Sequence, residues 1–189
     1  GLPEAEFIEL FNASNKIFDM NGWVISDGTT NSTLSNLLLR PSEYLIICPS
    51  ASTSDFLSYG IVQGLASFPT LNNTEDNITL QDNNGQRIDF VSYTVDWYQD
   101  ENKKNGGYSL EQINPYTNCI GASNFTGASD PIGGTPGAQN SQFDTIPDID
   151  APVLLEVLIL NDSSISLRFN ESMDSISVRS GTYAFSPSI

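Results

Sequence analysis

The chain has no histidine, only two cysteines, and seven basic side chains against 23 acidic ones in 189 residues. Without histidine, neither a Ser-His-Asp nor a Cys-His nucleophile system can be assembled, and no imidazole-ligated zinc site can form. Two thiols cannot supply a four-cysteine metal site. The formal charge of −16 opposes binding to phosphate backbones, because that affinity comes largely from Lys and Arg displacing counterions. The few basic residues are scattered and make no patch, which disfavours an anionic membrane surface as well. Long apolar runs are missing too. The longest is Tyr44 to Cys48, far short of the ~20 residues that span a bilayer. Nucleic acid and a membrane span are therefore not expected.

A leader is also not evident: Gly1-Leu2-Pro3-Glu4 has neither a basic start nor an apolar core. That fits either an intracellular protein or a mature, trimmed one. The abundance of Asn, Ser and Thr and the scarcity of Lys favour the second, an exported protein.

What is present is an ordinary folding composition, 39% hydrophobic and 10% aromatic, in a length that suits one domain or one domain and a fragment. The apolar pattern has period two and almost nowhere period 3.6. Glu6 to Phe11 is a short run closed by the turn-forming Asn12-Ala13-Ser14-Asn15. Asn21-Gly22 precedes Trp23-Val24-Ile25-Ser26, and Asp27-Gly28 follows it. Trp23 on such a strand is read as a core residue. Tyr44 to Cys48, bracketed by Pro41 and Pro49, reads as a buried strand, and residues 53–60 have room for one helical turn.

Asn77 to Asp82 and Gln86 to Tyr93 alternate cleanly on either side of Asp82-Asn83-Asn84-Gly85. Asn84-Gly85 suits the positive φ angles of a tight hairpin turn, which makes these strands antiparallel neighbours. Residues 94–106 read as a polar loop and Gly107 to Ile113 as another strand. From Asn114 to Ser141 the sequence suggests extended coil draped over the body, pinned by Phe125 and the prolines. Short strands with turn clusters between them predict an all-β chain, an antiparallel sandwich and not a parallel α/β sheet.

The composition shifts at Asp144 to Pro152, which is acidic and proline-bracketed, as a linker is. It separates a domain at residues 1–143 from residues 153–189. In the latter, Val153 to Leu160 and Ser164 to Phe169 read as strands, with a third at Thr182 to Phe185. This is a small C-terminal β extension, the truncated start of a second β domain.

The ordered set Glu6-Phe7-Ile8-Glu9-Leu10-Phe11-Asn12, Asn21 to Gly28, Leu71 to Leu80, Ile88-Asp89, Ser92-Tyr93, Ser109-Leu110-Glu111, Asn124-Phe125 and Gly133-Gly134-Thr135-Pro136-Gly137 resembles the lamin tail domain. The resemblance implies an immunoglobulin-like β-sandwich, found in nuclear lamin tails and in bacterial surface and secreted proteins. It also implies an interaction module, since the family carries no established catalytic residues. Asp148-Ile149-Asp150-Ala151-Pro152 and Phe169-Asn170-Glu171 resemble, more faintly, the first half of a bacterial Ig-like domain.

Three groups of residues are candidates for chemistry. Trp97 and Tyr98 lie in a polar loop beside Asp96, Asp100 and Glu101, an arrangement that holds sugars by stacking and hydroxyl hydrogen bonds. The alternative is that Trp97 folds back as a lid over the sandwich end. Asp144, Asp148 and Asp150 at the domain junction offer oxygens for Ca²⁺, the alternative being a solvated acidic linker. Cys48 and Cys119 suit a disulfide that would anchor the draped coil in an oxidising compartment. The alternative there is one buried, inert thiol and one exposed one. Paired carboxylates can hydrolyse glycosides, but nothing in the sequence marks a cleft. The resulting expectation is a non-catalytic extracellular or cell-surface interaction or spacer module of a larger exported bacterial protein, with a protein or glycan partner and no required cofactor. A carbohydrate-binding module built on Trp97 and Tyr98 is the alternative.

Overall fold

Leu45, Ile46, Ile47 and Cys48 are all 0% exposed, and the fold is organised about the strand that carries them. The structure, a computed structural model, describes residues 1–117, 121–145, 152–169, 173, 178 and 179. The chain divides into two compact units, Gly1–Ile146 and Pro147–Ile189.

In the first unit, β1 (Ile8–Phe11), β6 (Tyr44–Pro49) and β7 (Ile61–Leu65) form one sheet in the order β1-β6-β7. A second sheet has the order β4-β3-β8-β9, from β3 (Val24–Ser26), β4 (Asn31–Thr33), β8 (Glu75–Gln81) and β9 (Arg87–Thr94). Two-stranded pieces, β2 (Phe18–Asp19) with β5 (Leu38–Leu39) and β10 (Leu110–Gln112) with β11 (Phe125–Gly127), complete it. The main core joins the two sheets: Ile25 and Leu80 from one meet Leu45, Ile47 and Leu65 from the other, with Met20, Trp23, Leu34 and Leu39. Ile8, Leu10 and Ile78 pack against this cluster. This is an all-β, immunoglobulin-like sandwich.

The opposite face of β6 is covered as well. Ile46 and Cys48 meet Phe56 of the single-turn helix α1 (Thr53–Phe56), with Phe7, Tyr59 and Val62 around them. A strand buried on both faces has no use for alternation, which is why Tyr44 to Cys48 is an unbroken apolar run.

The helical turn expected within residues 53–60 is present, but what it connects was not foreseen. It carries the chain over the sheet, so β7 lies parallel to β6, pairing Leu45 with Ile61 and Cys48 with Gly64. Among the described residues this is the one parallel pair in an otherwise antiparallel body. Gly64 permits it: a Cβ there would come within 2.8 Å of the Ser50 Cα.

Strands β8 and β9 are antiparallel as predicted, but their turn differs in detail. Gly85 alone has a positive φ, 77°; Asn84 does not. Gly85 N–H donates to Asp82 O at 3.0 Å and Asp82 N–H to Gln86 O at 2.9 Å, and the register shifts between Leu80 and Gln81. This is a longer loop with one left-handed residue and a bulge. The Asp82 carboxylate stabilises it by accepting from the backbone N–H groups of Asn84 and Gln86.

The segment from Asn114 to Ser141, expected to be coil, contains β11, where Leu110 pairs with Gly127 and Gln112 with Phe125. A buried amide exchange fixes this register: Asn124 Oδ1 accepts from Asn114 N–H at 2.7 Å, and Asn124 Nδ2 donates to Asn114 O at 2.9 Å.

In the second unit, β12 (Leu154–Asn161) and β13 (Ser164–Phe169) form an antiparallel hairpin. Paired residues share a face, so Leu154, Val157, Ile159, Ile165, Leu167 and Phe169 lie together. The bulge between Leu154 and Glu156 brings Leu154 to that side. The third strand expected at Thr182 to Phe185 lies outside the described residues.

Candidate functional site

Strand β1 is bonded only to β6 and strand β9 only to β8, so each has an outer edge with no strand beside it among the described residues. Both border a groove of about 870 Å³ in the first unit. The sequence marked no cleft. One exists because β1 and β9 belong to different sheets and no described strand closes the gap between them. Ile8 and Leu10 of β1 and Ile78 and Leu80 of β8 give it an apolar lining. Glu4, Glu6, Glu9, Asp89 and Glu111 also border it, and Lys104 is the one basic side chain among the described lining residues.

Two of these carboxylates hold a long segment in place. Glu111 on β10 is 4% exposed. Its Oε1 accepts from the Thr135 hydroxyl at 2.9 Å, and its Oε2 accepts from the Ser141 hydroxyl at 2.7 Å and from Gln142 N–H at 3.2 Å. Glu9 on β1 accepts from Gly137 N–H at 2.5 Å. Burial pushes the Glu9 carboxyl up to about 7, the Gly137 bond works against the rise, and the nearby Glu111 charge adds to it. Gly137 has a φ of 76°, and a Cβ there would strike the Tyr59 carbonyl. Asn140 Nδ2 donates to Gln112 O at 2.8 Å. Gly133-Gly134-Thr135-Pro136-Gly137 thus leads a clasp that closes on β1 and β10.

The sequence pattern includes Glu9 and Glu111 but assigns them no role. The available signal was a glutamate at the second position of each of two short strands, Ile8-Glu9-Leu10-Phe11 and Leu110-Glu111-Gln112. Glycoside hydrolysis uses a pair of carboxyl groups, yet here both accept hydrogen bonds from the chain's own donors.

The proposed sugar platform is also tied inward. Trp97 and Tyr98 lie on a 3₁₀ turn, Val95–Tyr98. The Trp97 ring sits 5.4 Å from the Phe125 ring, at 36°. Tyr98 donates its hydroxyl to Tyr108 O at 3.2 Å, and burial pushes its phenol up. Asp96 pairs with Lys104 at 2.8 Å, and Lys104 also reaches Glu101 at 2.7 Å. Asp100 accepts from Asn102 N–H at 2.9 Å. Asp96 and Asp100 thus have partners within the loop, and Tyr98 is bonded to the start of the next segment.

Of the junction carboxylates, Asp148 and Asp150 lie outside the described residues. Asp144 donates its backbone N–H to Ile113 O at 3.0 Å within the first unit. Among the described residues no group of three or more Asp, Glu, His or Cys is placed to hold a metal ion. Cys48 is buried and has no disulfide partner among the described residues, and burial raises its thiol against a weaker opposing hydrogen bond to Thr53. Cys119 lies outside the described residues, so the pairing of the two stays an expectation.

Comparison with known families matches residues 1–95 to the Lamin Tail Domain, half of the chain. The chain belongs to the lamin tail domain family. The match covers the whole of both main sheets, β1 through β9. The clasp from Gly133 to Asn140 lies beyond the matched residues but within the same compact unit. Among curated proteins, none matches the chain. No helix among the described residues is long and apolar enough to cross a membrane.

Proposed function

We propose that this lamin tail domain is a non-catalytic interaction and spacer module of a larger exported bacterial protein, secreted or held at the cell surface. One observation carries the reading: the carboxylates best placed to do acid–base chemistry, Glu9 and Glu111, accept hydrogen bonds from the clasp. These bonds give both carboxylates a structural task, holding the clasp on β1 and β10. The immunoglobulin-like fold and the −16 charge agree with a surface that meets partners. The direct test is to treat intact cells making the full-length protein with a protease, and to follow this domain by antibody. Cleavage before lysis is expected; protection until lysis would refute export. Turnover of a glycoside panel that disappears in Glu9→Gln and Glu111→Gln variants, with folding intact, would refute the non-catalytic role.

The carbohydrate reading is weaker because Trp97 rests on Phe125 and the flanking carboxylates have internal partners. A glycan array separates the two readings. Binding lost in Trp97→Ala would establish the carbohydrate module, and an array without signal would remove it.

A further inference from the structure

The interaction role leaves open how a partner is held. Resting on that role, we propose that the groove receives an extended segment of a partner protein, added as a strand along β9. In that strand a Lys or Arg faces Asp89, and apolar side chains face Val91 and Tyr93.

The backbone argument comes first. Strand β9 has eight residues, roughly 26 Å of extended chain, and its outer edge is unpaired among the described residues. Such an edge is a template for one more strand. A groove lined by Ile8, Leu10, Ile78 and Leu80 lies beside it, so a strand added there would bury alternate side chains.

The side chains set the pattern. In the ladder, Asp89 pairs with Leu80, Val91 with Ile78 and Tyr93 with Asp76. Ile78 and Leu80 pack on the core, and paired residues share a face. Asp89, Val91 and Tyr93 therefore form the row of β9 on the Ile78 and Leu80 face, and all three line the groove, with Phe90 of the other row at its margin. A strand laid beside them meets one carboxylate and then two largely apolar positions.

Charge selects among strands. Asp89 is exposed and has no ion-pair partner among the described residues; one of its oxygens accepts from Phe90 N–H at 2.7 Å. Glu4 and Glu6 also lack a cationic partner there, while Lys104 is committed to Asp96 and Glu101. The groove has carboxylates and needs a cation. A charge on the inward row of an edge strand deters neutral apolar strands, and a second copy of this acidic chain would be repelled as well. A segment bringing Lys or Arg turns that repulsion into attraction.

The test uses the whole chain and synthetic peptides. One peptide reads Thr-Lys-Thr-Val-Thr-Val-Thr-Thr, a second has the reverse order to cover both strand directions, and matched controls carry Glu in place of Lys. Affinity is measured by fluorescence anisotropy at low and high salt, and contact is mapped by amide hydrogen exchange. The expected result is binding of a Lys peptide at least tenfold tighter than its Glu control, weakening with salt, with slowed exchange in β9 and no change in β4 or β7. Asp89→Lys should reverse the preference between peptides, and Asp89→Asn should abolish it. Equal binding of Lys and Glu peptides, indifference to both variants, protection elsewhere, or no binding at all would each overturn the strand partner. None of these would touch the interaction role, which falls only to its own tests of export and turnover.

Discussion

Replacing Glu9 by glutamine isolates the energetic cost of charging a carboxylate beneath the clasp. Its pKa rises from 4.5 to about 7, chiefly through burial. Between those values the folded chain holds a proton that the unfolded chain has released. Stability from this group is therefore complete below about pH 4.5, declines as pH rises, and is gone above about 7. At about 1.4 kcal/mol per pH unit the upper bound is about 3–4 kcal/mol. Glu9 is only partly buried by surface area, and solvent screening reduces the effect to about 1–2 kcal/mol. Glutamine keeps an acceptor for Gly137 N–H and cannot ionise. Glu9→Gln should thus match the wild type near pH 4.5 and exceed it at pH 8 by roughly 3–6 °C in Tm. The assay is thermal unfolding by circular dichroism across pH 4.5–8. Asp27 and Asp82 titrate outside this window: backbone N–H groups, first of Thr30 and of Gln86, hold them below the usual carboxylate range, so their contribution is lost only in stronger acid. A Tm difference between variant and wild type that stays constant with pH, or shrinks as pH rises, would refute the reasoning.

Two further substitutions probe packing and backbone. Phe56→Ala empties a 0%-exposed position between α1 and β6 and should cost about 3–5 kcal/mol in a urea titration; a loss under about 1 kcal/mol would show that the second core is not closed. Gly137→Ala places a Cβ against the Tyr59 carbonyl at a φ of 76° and should cost at least about 1 kcal/mol. It should also speed hydrogen exchange at Gly137 and Gln142, and unchanged exchange would separate the clasp from its proposed anchors.

The strands that alternate cleanly, β8 and β9, and the doubly buried β6 could be read from residue order because each leaves a local trace. Alternation marks one buried face and an unbroken apolar run marks two. β2, β4 and β5 have two or three residues each, too few for a period to register. β7 passed unseen because Gly64 sits where an apolar residue would have signalled it. Gly64 is there for a neighbour's sake, to let Ser50 approach. The parallel placement of β7 and the second core around Phe56 follow from that contact.

Residue order by itself determined the class of molecule: all-β, acidic, without histidine, and of the lamin tail family. Those properties reside in composition, period and motif order, which survive without coordinates. Only the tertiary structure decided that Glu9 and Glu111 meet one segment 24 to 128 residues away, that Trp97 turns onto Phe125, and that two strand edges border a groove. Each of these is a contact between residues far apart in the chain. Which distant residues meet is set by how the sheets close on a shared core, and no local pattern encodes that.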